Sequence, residues 1–102
     1  MLIIEYYKFL TNDKHEYVMA KQILRSGTSI GANVHEANYA VSKVDFISKL
    51  QIAVKEAAET EYLLIVLEKS GYFDNSFFEL KQVLDSTKRM LVSSLNTVKK
   101  SK

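Results

Sequence analysis

The chain has 102 residues, 47% of them hydrophobic and 25% charged, with a formal net charge of +2. That length fits one folded domain, and the composition excludes an intrinsically disordered chain. The absence of cysteine excludes a disulfide framework, a thiolate metal site and a cysteine nucleophile, and so small a net charge does not by itself point to nucleic acid.

Proline is absent and glycine occurs only three times, so long uninterrupted helices are expected. Glu5 and Lys8 interrupt the apolar start at Met1–Phe9, which lacks the order of a secretory signal. No apolar run approaches membrane-spanning length. The expectation is a soluble, cytoplasmic protein with no membrane association.

Leu2, Ile3, Tyr6, Phe9 and Leu10 recur at helical spacing and predict a short first helix over 2–11. Asn12 and Asp13 stop it, and Asp13 with Glu16 makes a capping pair for a second helix over 14–40. Met19, Ile23, Ile30, Val34, Ala37 and Val41 form its apolar stripe. Ser42 and Asp45 have capping-box spacing and open a third helix that ends near Ser70, with Gly71 at the position where a left-handed backbone suits glycine. Its inner seam is Phe46, Leu50, Ala53, Ala57, Leu64 and Leu67. Asp74 or Asn75 caps a fourth helix, which Phe77, Leu80, Leu84, Leu91 and Val98 carry to about Lys99. Brief loops between these elements predict one all-α domain over 1–102, an antiparallel up-and-down four-helix bundle with a short first helix.

Charge is unevenly distributed. Residues 56–79 are acidic apart from Lys69, and residues 81–102 are basic apart from Asp85. Two readings stay open: antiparallel neighbours that offset each other, or a basic surface for an anionic partner. Apolar surface is also in surplus. Tyr62 to Leu67 point in every direction on a helix, and Ile52, Leu63, Val66, Val83 and Met90 lie off the inner seams. An apolar surplus of this kind marks an interface, so a homo-oligomer is expected through those five residues.

The segment RSGTSIGANVHEA, Arg25 to Ala37, resembles a phosphate-binding loop only superficially. Three residues, not four, separate Gly27 from Gly31, no lysine follows, and no strand precedes. The spacing instead places both glycines on one side of the second helix, where a neighbour can approach closely. Neither His15 nor His35 stands three residues after a glutamate, as a di-metal bundle site requires. No serine has a credible base. No catalytic residue, metal or cofactor is expected.

Beside the apolar stripe runs a polar seam, Gln22, Ser26, Ser29, Asn33 and Glu36, expected to be at least half buried and paired with Arg25, Lys49 or Lys55. Candidate nucleic-acid contacts are Lys21 and Arg25 on the second helix, and Lys81, Lys88, Arg89, Lys99 and Lys100 on the fourth. Tyr17, His35 and Tyr39 accompany the former. Lysines beside an apolar face are equally ordinary snorkelling residues.

Gln22 to Phe73 closely resembles the bacterial four helix bundle protein family. That family includes proteins encoded in intervening sequences of large-subunit ribosomal RNA genes, and the accessory variability determinant of diversity-generating retroelements. The resemblance rests on Arg25-Ser26, on Ser29 to Asn33, on Glu36-Ala37, on Lys55 to Ala57 and on Glu59 to Tyr62. It implies a bundle that assembles as a homopentamer, with RNA or DNA and a reverse transcriptase as partners. It also implies a first helix about twice as long. Met1 falls near the middle of that helix, so a truncated or reduced first helix is expected, leaving the far ends of the other three with less cover. Leu63 stands where the family often has an aromatic residue. The combined expectation is a non-enzymatic oligomeric bundle that binds nucleic acid through its assembled surface, or alternatively a structural adaptor that binds a protein partner without nucleic acid.

Overall fold

The computed structural model describes residues 1–100 as four α-helices: α1 (Leu2–Lys8), α2 (Val18–Ala37), α3 (Lys43–Lys69) and α4 (Asn75–Lys100). Together they form a four-helix bundle 50 Å long and 19 × 18 Å across. α3 packs between α2 and α4, and α1 closes the opposite side against α2 and α4. Ile23, Leu64, Leu67 and Phe77 fill the centre around Tyr6 and Leu10. Each large apolar side chain so buried contributes about 1.5 to 3 kcal/mol.

α1 does not stop where an α-helix would. Phe9–Asp13 continues it as one π-helical turn, with Lys14 N–H bonded to the Phe9 carbonyl at 3.2 Å. His15 then takes a left-handed conformation at φ 54°, which separates that turn from α2. α2 therefore begins at Val18 rather than at 14. Glu16, not Asp13, serves its first turn, accepting from Met19 N–H at 2.7 Å. At the other end Asn38, Tyr39 and Ala40 each donate to the carbonyl three residues back, a tightening that ends α2 at Ala37 instead of 40.

The remaining caps follow the sequence. Asp45 N–H donates to Ser42 Oγ at 3.0 Å, while the Asp45 carboxylate reaches back to Val41 N–H rather than to residue 42. Gly71, at φ 85°, closes α3 in a Schellman motif: Tyr72 N–H reaches the Leu67 carbonyl at 2.9 Å and Gly71 N–H that of Glu68 at 3.0 Å. Asp74 Oδ1 then accepts from Phe77 N–H at 2.9 Å and from the Ser76 hydroxyl at 2.6 Å, opening α4.

Tyr6 pins α1 to this corner. Its hydroxyl donates to the Tyr72 carbonyl at 2.7 Å, and its ring lies between Phe9 and Phe77. Burial holds the Tyr6 hydroxyl well above the ordinary tyrosine range, with Asp74 and then Glu68 adding to the effect. From this corner α1 and its π-turn span about 18 Å, against about 40 Å for α3. The far half of the bundle is thus built from α2, α3 and α4, with Ala37, Leu50, Leu91 and Leu95 in its core.

Candidate nucleic-acid and self-assembly surfaces

Among the described residues five ion pairs join α3 to its neighbours, and the four that involve candidate cations divide those seven residues into two groups. Arg25 bridges Glu56, at 3.2 Å, and Glu59. Those hydrogen bonds, Glu59 first, raise the guanidinium further above neutrality. Lys81 lies 3.6 Å from Glu68, and Lys88 lies 3.2 Å from Glu61. The acidic run of α3 and the basic run of α4 therefore offset each other across antiparallel neighbours. Lys21, Arg89, Lys99 and Lys100 have no carboxylate within 4 Å among the described residues, and all four are exposed.

Those four do not form one patch. Lys21 sits near the start of α2, which is aligned with the end of α3. Lys99 and Lys100 end α4 at the opposite end of the bundle. The larger grouping is on α4 itself, where Lys88, Arg89 and Lys100 share one surface with Asp85 at its near end and with Val92, Ser93, Asn96 and Thr97. Reading the sequence for cations alone misses the three neutral hydrogen-bonding residues between them. The repeat of two adjacent cations, Lys88-Arg89 and Lys99-Lys100, was the available signal.

The polar seam is only partly internal. Ser26 is fully buried, and its hydroxyl lies 2.8 Å from that of Thr60, a partner on α3 that the sequence reading did not name. Thr60 Oγ1 is also 2.8 Å from the Glu56 carbonyl, so the two hydroxyls form a short relay that ends on backbone. Ser29 and Asn33 are half-buried, and the Asn33 amide bonds locally to the Ser29 carbonyl at 2.8 Å. Gln22 and Glu36 are exposed, contrary to expectation, because the seam drifts off the α2–α3 contact at both ends. Glu36 still reaches Lys49, at 3.5 Å, as anticipated. Arg25 serves Glu56 and Glu59 instead of the seam. No buried side-chain nitrogen or oxygen among the described residues lacks a partner.

Of the five candidate interface residues, Leu63 is corrected outright: it is 5% exposed and belongs to the core. α3 touches two helices, so its buried arc is wide enough to take both Leu63 and Leu64. Val66 is half-buried. Ile52, Val83 and Met90 are exposed, the last by 69%. Val83 and Met90 are seven residues apart and share one flank of α4.

The glycines also separate. A Cβ on Gly27 would stand 2.6 Å from Ile3 Cδ1, so Gly27 is what lets α1 approach α2. A Cβ on Gly31 would meet nothing within 4 Å. The expected close neighbour is present at the first glycine and absent at the second, because α1 begins beside Ile3.

Among the described residues no three His, Asp or Glu side chains gather as a metal site would need, and no helix is long and apolar enough to cross a membrane. What the architecture defines is a helical bundle whose buried polar side chains are paired with one another or with backbone. Residues 1–93 match the 23S rRNA-intervening sequence protein family, and the chain belongs to that family. It is similar in structure to a protein of unknown function from the S23 ribosomal protein family of Bacteroides thetaiotaomicron. The two share 48% identity over 91% of this chain and 87% of that one, with a TM-score of 0.86. No match is found among curated proteins.

Proposed function

We propose that the protein is a non-enzymatic, self-assembling helical bundle that binds nucleic acid through the far half of α4. One observation carries the reading: Arg89, Lys99 and Lys100 are exposed and, among the described residues, have no carboxylate partner, on a stretch with no acidic residue after Asp85. Self-assembly, as the pentamer that the resemblance implies, would multiply this modest charge by placing several copies of the strip on one particle. The exposed pair Val83 and Met90 supports an interface on the neighbouring flank. The test is binding to a labelled mixed-sequence RNA or DNA across a salt series. Affinity should fall steeply with salt, and Arg89→Ala with Lys99→Ala and Lys100→Ala should abolish it. Salt-independent affinity, or none, rejects the reading. For assembly, multi-angle light scattering should give a multiple of 11.7 kDa, and Met90→Lys should reduce it.

A second reading, a protein adaptor that needs no nucleic acid, is favoured by Arg25, Lys81 and Lys88 being committed to internal ion pairs. A reverse transcriptase is the protein partner that the resemblance supplies. Pull-down that survives nuclease treatment supports this reading over the first.

A further inference from the structure

We infer that the α4 strip takes a nucleic-acid duplex and holds it by its phosphate backbone, in preference to a single strand. The inference rests on the nucleic-acid reading above and adds to it the form of the ligand.

Three observations carry it. First, the cations are arranged as a straight double rail. Lys88 and Lys99 are eleven residues apart, as are Arg89 and Lys100. Eleven residues make three turns of α-helix with only about 20° of drift, so each pair lies along one line, about 16 Å from end to end. All four lie within a single 26-residue helix, which is a stiff support; Lys88 is paired with Glu61, so Arg89, Lys99 and Lys100 are the charges offered to a ligand.

Second, Asn96 lies between the rails beside Val92, and Ser93 and Thr97 flank the Arg89–Lys100 line, on a surface that also carries Asp85 at its near end. Short hydroxyl and amide donors with lysine and arginine are the side chains that contact phosphate and sugar oxygens.

Third, the strip has no stacking platform. Proteins that hold single strands combine positive charge with aromatic side chains on which bases stack. The chain contains six tyrosines and five phenylalanines, yet none occurs after Phe78. The exposed aromatics Tyr17, Tyr39, Tyr62, Phe73 and Phe78 lie on other elements or on the first turn of α4. A rigid cationic rod without stacking groups is matched by a rigid polyanion of high charge density. A duplex carries one charge per about 1.7 Å of its axis. Arg89, with Lys99 and Lys100 about 16 Å further along, can reach phosphates on both sides of a groove roughly 12 Å wide.

The test compares four probes of mixed sequence and equal length, twenty nucleotides: duplex DNA, duplex RNA and the two single strands, at one moderate salt concentration. Both duplexes are expected to bind at least tenfold tighter than either single strand, with little dependence on sequence. The duplex arms also show whether A-form or B-form geometry is preferred. Single strands binding as well as duplexes would overturn the inference while leaving the nucleic-acid reading intact. No binding to any probe would overturn both. An independent variant is Val92→Tyr, at an exposed apolar position on the strip that none of the contacts above uses. Supplying an aromatic there should raise single-strand affinity severalfold and leave duplex affinity within twofold. Unchanged single-strand affinity would mean that stacking is not what the strip lacks, and would count against the inference.

Discussion

The hydroxyls of Ser26 on α2 and Thr60 on α3 lie 2.8 Å apart in a site from which solvent is excluded. Each has one proton to donate. Thr60 directed to the Glu56 carbonyl and Ser26 directed to Thr60 satisfies both hydroxyls at short distance. Ser26→Ala leaves Thr60 with its backbone acceptor and should cost about 1 kcal/mol. Thr60→Val leaves Ser26 with only the Ile23 carbonyl at 3.4 Å, and should cost about 2 kcal/mol. The double variant should be more stable than the sum by about 1 kcal/mol, measured by urea unfolding. Strict additivity would show that the two hydroxyls are not coupled.

Gly27 and Gly31 should respond in opposite directions to alanine. Gly31→Ala adds a methyl to open space and removes a flexible residue from a helix, for a gain of about 1 kcal/mol. Gly27→Ala drives a methyl into Ile3, and overpacking of about 1 to 3 kcal/mol exceeds the same gain. In an Ile3→Ala background the Gly27→Ala change should become stabilising. Thermal melts of the four variants decide this, and a destabilising Gly27→Ala in both backgrounds would refute the contact.

Tyr6 should make the fold sensitive to alkali. Its folded hydroxyl titrates above the ordinary value near 10, because it is buried and faces Asp74 and Glu68. Below that pH both folded and unfolded chains keep the proton, and the stabilisation is fully present. Above it the unfolded chain releases the proton and the folded one does not, so stability falls as pH rises. Tyr6→Phe should cost about 1 kcal/mol at neutral pH through the lost bond to Tyr72, and should flatten the decline above pH about 10. An equally steep decline in the variant, followed by circular dichroism, would assign the sensitivity elsewhere.

Asp74 carries the start of α4 through Phe77 N–H and the Ser76 hydroxyl. Asp74→Ala should cost about 1 to 2 kcal/mol, and Asp74→Asn, which keeps an acceptor oxygen, well under half of that. Chemical denaturation separates the two. Equal losses would indicate that charge, not capping, is what Asp74 supplies.

Helix identity was legible wherever a cap and a period agreed. Ser42 with Asp45 and Ser70 with Gly71 located both ends of α3. The ends of α2 differ from the expected ones because local chemistry and backbone compete there: Asp13 with Glu16 has the spacing of one capping pair, but the π-turn takes Asp13 and the left-handed His15 leaves Glu16 alone to serve the first turn. Leu63 reads as outward only for a helix buried on one side, whereas α3 is covered on two. The sequence of α3 carries no mark of how many neighbours it has. For the candidate surface, residue type identified Arg25, Lys81 and Lys88 as cations but not their partners, since Glu56, Glu59, Glu61 and Glu68 come within reach only once α3 lies between α2 and α4. The Lys88-Arg89 and Lys99-Lys100 repeat was readable from the chain alone, and its straightness follows from helix geometry without any tertiary contact.

The elongation of the bundle bears on how its assembly must be weighed. Its radius of gyration is 14.8 Å, against about 13 Å for a compact domain of the same length. A rod 50 Å by 19 Å drags more solvent than a sphere of equal mass. A single copy will elute early from a sizing column and sediment slowly, in the manner of something heavier by the first criterion and lighter by the second. Sedimentation and elution read together, or native mass directly, will therefore separate a lone rod from a ring of rods where either hydrodynamic measurement alone would misjudge the count.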